Sequence, residues 1–193
     1  MLRRLYDWTM AQAAGKRAPY VLGVVSFAES SVFPIPPDVL LVPMIIAERS
    51  KAWFLAFLCT VTSVAGGLLG YAIGALLFDT VAMPILSFYG YAESFRTFAA
   101  RYNEWGAWIV FIAGLTPFPF KVITIASGAT GLNLAVFVVA AILARGIRFF
   151  AVAGLLYWLG PPIRTFIERR LGLVFVAFVI LLVGGFVAAM YLV

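Results

Sequence analysis

The run from Ala52 to Phe78 holds no charged residue and constrains the fold more than any other feature of this sequence. A helix needs about 20 apolar residues to cross the hydrocarbon core of a bilayer, and this run exceeds that length. Leu171 to Val193 is a second such run, and Asn133 to Gly160 is a third that carries Arg145 and Arg148 near its middle. The sequence therefore predicts an all-α integral membrane protein.

The composition of the whole chain indicates the same class. Of its residues 64% are apolar and 11% are charged, whereas soluble proteins are about 25% charged. Basic residues outnumber acidic ones by 14 to 8 and cluster beside the apolar runs, which favours anionic lipid head groups over nucleic acid. We expect a multi-pass protein of a bacterial inner (plasma) membrane. Its expected partners are membrane lipids with anionic phosphate head groups, and a homo-oligomer is left open.

Several enzyme classes are excluded by composition. Without histidine, neither a histidine-nucleophile lipid phosphatase nor a Ser-His intramembrane protease can be built. The single cysteine, Cys59, allows no intramolecular disulfide and no zinc site of the usual kind. We therefore expect no enzymatic activity, no cofactor and no metal.

Two further apolar stretches, residues 18–47 and 107–130, are interrupted by prolines. Proline removes a backbone donor and clashes with the preceding turn, so each interruption should be a true bend. The limbs of the first stretch would each reach about 13 Å, less than half of the hydrocarbon core. We predict two re-entrant helical hairpins, which are tolerated only inside protein or around a wet cavity. The predicted breaks lie at Pro34, Pro36, Pro37, Pro117 and Pro119.

The two broken stretches also resemble each other, since Phe33–Val39 echoes Phe118–Val122 and an apolar helix follows each. A hairpin makes no net crossing and the following helix makes one. The second unit would therefore begin on the opposite side, as an inverted repeat. Paired interrupted segments of this kind point to a transporter's binding site, although a match this short also has chance as an explanation.

The predicted organisation is a single membrane domain. Positive charge places the N-terminal arm and the 161–170 turn in the cytoplasm and the connecting segment outside. The connecting segment either lies in the membrane interface or packs on the bundle as a loop helix. In order, the segments are a basic arm (1–17), a re-entrant hairpin (18–47), a transmembrane helix (52–78), an amphipathic connecting segment (79–106), a second hairpin (107–130), a transmembrane helix (133–160) and a C-terminal transmembrane helix (171–193).

Charged side chains at apparent membrane depth are the candidate functional residues, because each is costly to bury. We predict that the bases bind a lipid head group, since basic side chains suit phosphate oxygens, and that the acids couple protons or pair with the bases. Alternatively, the charges only hold two halves together; a third base would then leave one positive charge for an anionic ligand to neutralise. The acids are Glu29 and Asp38, and the bases are Lys121, Arg145 and Arg148.

Gly66, Gly70 and Gly74 are spaced four apart, and small residues at that spacing let helices approach closely. The spacing favours ordinary helix packing over a crossing between this helix and a hairpin near the site.

Four motifs recur together in one known family. They are ESSVFPIPPD from Glu29 to Asp38, GYAIG from Gly70, TPFPFK ending at Lys121 and RGIRF from Arg145. In order and spacing, over about residues 20–160, they resemble the DedA superfamily, also called the VTT or SNARE-associated domain, and its YqaA-like branch in particular.

The resemblance implies two facing re-entrant hairpins and a role in moving phospholipids or polyprenyl-phosphate carriers between leaflets, with proton coupling in some members. By position, Glu29 and Asp38 would be the essential acids. The chain departs from many members at Gly114, which stands where they carry a base, and Lys121 follows one residue late. An ion- or proton-coupled small-solute transporter and a non-transporting scaffold are the alternatives.

Overall fold

A computed structural model describes residues 17–32, 36–116 and 118–169, and within these ranges the regular structure is helical. The predicted N-terminal arm up to residue 16, Pro34, Pro117 and the predicted C-terminal helix (171–193) lie outside the described residues. The helices are α1 (Ala18–Ser31), α2 (Asp38–Ala47), α3 (Ala52–Leu77), α4 (Met83–Phe88), α5 (Ala92–Leu115), α6 (Phe120–Ala129) and α7 (Leu134–Arg169). A 3-10 turn, Arg49–Lys51, precedes α3, and a π-helical turn, Phe78–Ala82, follows it.

The helices are interrupted at both proline segments. Helix α2 starts directly after Pro37, and α6 starts directly after Pro119. Proline suits this position because its missing N–H has no intrahelical partner there in any case. Helices α1, α2 and α6 have 14, 10 and 10 residues. They therefore reach about 21 Å at most, which is shorter than the hydrocarbon core of about 30 Å.

Helix α5 differs from the predicted segmentation. The sequence suggested a boundary at residue 106, between an amphipathic segment and a hairpin limb, but α5 continues through it for 24 residues. No proline lies between Ala92 and Leu115 to stop the helix. Gly106, inside α5, packs against Leu132, whose Cδ1 would lie 2.3 Å from an added Cβ. Helix α7 likewise runs on to Arg169, past the predicted end at residue 160.

Helices α3 and α7 form the centre of the bundle and pack against each other. Helix α1 packs on α3, and α5 packs on α7. The two 10-residue helices pack on the central helix that is farther away in sequence: α6 packs on α3, and α2 packs on α7. Each central helix therefore contacts helices from both proline-broken stretches.

The bundle is apolar outside and partly polar inside. Exposed apolar side chains cover the outer faces of both central helices, for example Phe54, Phe57, Leu69 and Leu76 on α3 and Val139, Leu143, Ile147 and Leu155 on α7. The buried polar side chains include Ser26, Glu29, Ser30, Ser63, Thr124, Ser127 and Arg145. A protein surrounded by water normally shows the reverse arrangement. The helical stretch Arg49–Phe88 and the part of α7 from Leu134 to Leu159 are long and apolar enough to cross a bilayer.

The glycines of α3 mark its contacts with both broken stretches. A Cβ added at Gly66 would lie 2.0 Å from the carbonyl oxygen of Phe27 in α1, and one added at Gly74 would lie 2.0 Å from that of Ile125 in α6. A Cβ added at Gly70 would lie 2.2 Å from Thr124 Oγ1. The spacing alone favoured ordinary helix packing, whereas here the glycines lie at crossings with helices from both proline-broken stretches.

Replacing Gly66 with alanine should therefore destabilise the fold. The added methyl group would meet backbone rather than a flexible side chain, and overpacking of this kind costs about 1–3 kcal/mol. Thermal unfolding of the purified protein in detergent should show a lower Tm for Gly66→Ala. Gly146→Ala is the matched control, because its nearest contact would be Thr60 Cγ2 at 3.8 Å. Equal Tm values for the two variants would contradict the close crossing.

Candidate functional site

Arg145 is the most enclosed charge of the site, with 1% of its surface exposed. Its Nη2 donates to Glu29 Oε2 at 2.7 Å, and its Nε donates to Ser63 Oγ at 2.6 Å. The guanidinium carbon lies 4.9 Å from the ring centre of Phe120 and 4.7 Å from that of Phe149. A carboxylate, a hydroxyl group and two aromatic faces thus take the place of water around this cation.

A set of buried hydroxyl groups extends this pair across the bundle. Ser30 Oγ donates to Glu29 Oε2 at 3.2 Å and shares a hydrogen bond of 2.7 Å with Ser63 Oγ. Thr124 Oγ1 donates to the carbonyl oxygen of Ser30 at 3.0 Å. Side chains from α1, α3, α6 and α7 therefore meet in one polar network.

These hydroxyl groups were not among the residues predicted from the sequence. The only signal for Ser30 was its place beside Glu29 in the motif. Ser63 lies within a long apolar run, where serine commonly bonds to the backbone of its own helix. Its partner across the bundle became visible only in the folded chain.

Asp38 and Arg148 form a second ion pair, which is more open than the first. Arg148 Nη2 lies 2.5 Å from Asp38 Oδ2, and the two side chains are 17% and 19% exposed. Arg148 Nη1 also donates to the carbonyl oxygen of Thr116 at 2.8 Å. Asp38 lies in the first turn of α2, where the helix dipole favours a negative charge. Thr116 follows the last residue of α5, so Arg148 connects the start of α2 with the end of α5.

Lys121, near the start of α6, has a different partner. Its Nζ donates to the carbonyl oxygen of Val32, directly after α1, at 3.1 Å. It forms no salt bridge within the described residues. Lys121 and Arg148 thus each hold a carbonyl group at the C-terminal end of a helix, where a cation interacts favourably with the helix dipole.

The predicted charges all lie next to the two proline breaks, but they do not line one common surface. Arg145 is sealed inside, whereas Arg148 and Lys121 are partly exposed. Pro37 is buried, and Pro36 and Pro119 are half-buried at the ends of the breaks. Among the described residues, no group of three or more His, Cys, Asp or Glu side chains could hold a metal ion.

Comparison with known proteins identifies the family. The model of the VTT domain matches residues 35–158, which is more than half of the chain. This chain belongs to the VTT domain family, within the DedA superfamily. It is 36% identical over 170 residues to an uncharacterized protein of Haemophilus influenzae, with 88% of each chain covered. It is also 36% identical over 156 residues to an uncharacterized protein of Histophilus somni, with 81% of each covered. No solved structure matches.

The VTT match includes Asp38, Lys121, Arg145 and Arg148, whereas Glu29 precedes it. Together with the apolar exterior, membership of this family indicates a membrane protein. The family is often linked to transport or lipid homeostasis.

Removing one partner of the Glu29–Arg145 pair should destabilise the fold more than removing one partner of the Asp38–Arg148 pair, because the first pair is more deeply buried. Glu29→Gln leaves Arg145 without its carboxylate, and breaking a buried pair costs about 3–5 kcal/mol. We expect a large fall in Tm in detergent for Glu29→Gln and a smaller one for Asp38→Asn. The double variant Glu29→Gln with Arg145→Gln should lose less than the sum of its single variants. Equal losses at Glu29 and Asp38 would contradict the difference between the two pairs.

Proposed function

We propose that this VTT protein is a transporter or scramblase that moves phospholipids or polyprenyl-phosphate lipids between leaflets and so supports membrane or envelope homeostasis. One observation carries the proposal: two acid–base pairs and a third base, Lys121, which forms no salt bridge within the described residues, surround two helix breaks inside an apolar bundle. Intramembrane charges of this kind mark ligand pathways. Because the relatives from Haemophilus influenzae and Histophilus somni are bacterial proteins, we propose a bacterial inner membrane as its location, with several membrane crossings.

The proposal includes two re-entrant hairpins related as an inverted repeat. In support, the two halves pack in matching ways: α1 lies on α3 as α5 lies on α7, and α6 lies on α3 as α2 lies on α7. The second helix of each broken stretch has 10 residues. In transporters with inverted repeats the substrate binds at the interface of the repeats, and the charged groups described above lie at the corresponding place.

The lipid phosphate is proposed to bind Arg148 and Lys121, with Arg145 as a fixed anchor in the buried ion pair with Glu29. The Arg145 side chain is enclosed and fully engaged, so it has little surface for a ligand. Arg148 and Lys121 are partly exposed and hold groups that a phosphate can replace, a carboxylate and a backbone carbonyl. Guanidinium and ammonium groups are both strong donors to phosphate oxygens.

Proton coupling is proposed to act through Asp38. A proton taken up by Asp38 would remove the negative charge that holds Arg148 and free the guanidinium group for the phosphate. Loss of the proton from Asp38 would restore the ion pair with Arg148 and expel the phosphate. Glu29 is the alternative coupling acid, because it pairs with Arg145, which lies on α7 as Arg148 does.

Lipid movement should depend on Lys121. In proteoliposomes with a fluorescent phospholipid, or with a polyprenyl phosphate, we expect wild type to accelerate exchange between leaflets. Lys121→Gln should slow it about tenfold, the effect of losing one charge-assisted hydrogen bond of about 1.4 kcal/mol. Lys51→Gln is the control, because Lys51 is an exposed lysine paired with Glu48 on the turn before α3. No acceleration of either lipid by wild type would refute the proposed function.

The pH dependence should identify the coupling acid. If protonation of Asp38 frees Arg148, exchange by wild type should become faster as the pH falls. Asp38→Asn has no titratable group at this position and should lose this dependence, as measured by exchange rates across a series of buffers of different pH. If Asp38→Asn keeps the wild-type profile and Glu29→Gln loses it, Glu29 is the coupling acid instead. If both keep it, neither acid couples protons.

A non-transporting scaffold is the second candidate, and the pairing of both acids with arginines favours it. It predicts folded wild-type protein that leaves lipid exchange unchanged, together with stability losses in Glu29→Gln and Asp38→Asn.

A further inference from the structure

A second cluster lies away from the buried pairs, where the turn before α3 meets the later part of α7. Arg49 and Ser50 from the turn and Tyr157 and Trp158 from α7 line a cavity of about 390 Å³. None of these residues belongs to the proposed transport site. We call this cavity the turn pocket.

Arg49 carries a donor that no described residue accepts. Its Nε is shielded from solvent and has no hydrogen-bond partner among the described residues. The acid nearest in sequence, Glu48, is engaged by Lys51, whose Nζ lies 2.6 Å from its Oε2. The Arg49 guanidinium carbon lies 5.7 Å from the ring centre of Tyr157, a cation–π contact that leaves the N–H groups available. A shielded N–H group without an acceptor is unfavourable. A shift of the Arg49 side chain that brings Nε–H to an acceptor in the pocket would relieve this cost.

The aromatic residues around the pocket place it at the membrane surface. The ring centre of Trp53 lies 5.7 Å from that of Tyr157 and 6.4 Å from that of Trp158. Trp158 is 73% exposed and stands near the end of the apolar part of α7. Tryptophan and tyrosine are enriched at the level of lipid head groups, and the charged turn Glu48–Lys51 lies beside them.

We propose that the turn pocket binds a phosphate group through the guanidinium group of Arg49, which forms no salt bridge with a described residue. A guanidinium group offers its donors in a planar fork that matches phosphate oxygens. At this level of the membrane the phosphate comes either from an anionic lipid or from the aqueous phase. In the first case the exposed face of Trp158 lies against the upper part of the lipid chains.

Ligand-dependent stability of the full-length protein in detergent tests the proposal independently of transport. Three probes are compared by the rise in Tm: dihexanoyl phosphatidylglycerol, inorganic phosphate and dihexanoylglycerol, which has the same chains without phosphate. Wild type should be stabilised by the phosphatidylglycerol and not by dihexanoylglycerol. A rise with phosphatidylglycerol alone assigns the site to lipid, and an equal rise with inorganic phosphate assigns it to the free anion.

The variants decide whether Arg49 is responsible. Arg49→Gln should need at least about tenfold more ligand for the same rise in Tm, because a charge-assisted hydrogen bond is lost. Arg96→Gln removes the same charge from an exposed position on α5 and should respond as wild type does. Arg49→Lys keeps the charge but lacks the planar guanidinium group, so its Tm should also rise only weakly with the ligand. It serves as the second variant if Arg49→Gln fails to fold. No rise in wild type with either phosphate probe, or an unchanged response in both Arg49 variants, overturns the proposal.

Discussion

The ion pair between Glu29 and Arg145 is the constraint around which the rest of the bundle is arranged. Both groups lie inside a bundle whose outer surface is apolar, and each would be very unfavourable there alone. To meet, α1 and α7 must both approach α3. The absence of a side chain at Gly66 permits the close contact of α3 with α1, and Ser63 supplies a further acceptor for Arg145. The close backbone packing and the pairing of the two charges therefore depend on the same arrangement of α1, α3 and α7.

Helix ends impose the second constraint. A proline break leaves the last carbonyl groups of a helix without backbone partners, and no water is present in hydrocarbon to satisfy them. Here Lys121 donates to the end of α1, and Arg148 donates to the end of α5. The bases that are proposed to bind phosphate also cap the broken helices. In the proposed function, a phosphate that draws these bases away would leave both helix ends without these donors.

Much of the fold could be predicted from local chemistry. Proline and long uncharged runs act within a few residues, so the interruptions near residues 34–37 and 117–119 and the length of α3 followed from the sequence directly. The continuity of α5 did not follow, because the charges between Glu93 and Glu104 suggested a separate surface segment. A helix can carry charges at one end and an apolar face at the other without a break, and α5 packs against α7 and continues through Gly106.

By itself, the sequence determined the membrane environment, the positions of the helix breaks and the five candidate charges, because hydropathy, proline and charge are properties of single residues and short runs. Tertiary structure alone decided the partners. Glu29 meets Arg145 across 116 positions, and Asp38 meets Arg148 across 110. It also decided which base is sealed and which remain accessible, since burial depends on neighbours from four helices. Contacts over such separations depend on how the helices cross, which no short segment of the chain encodes.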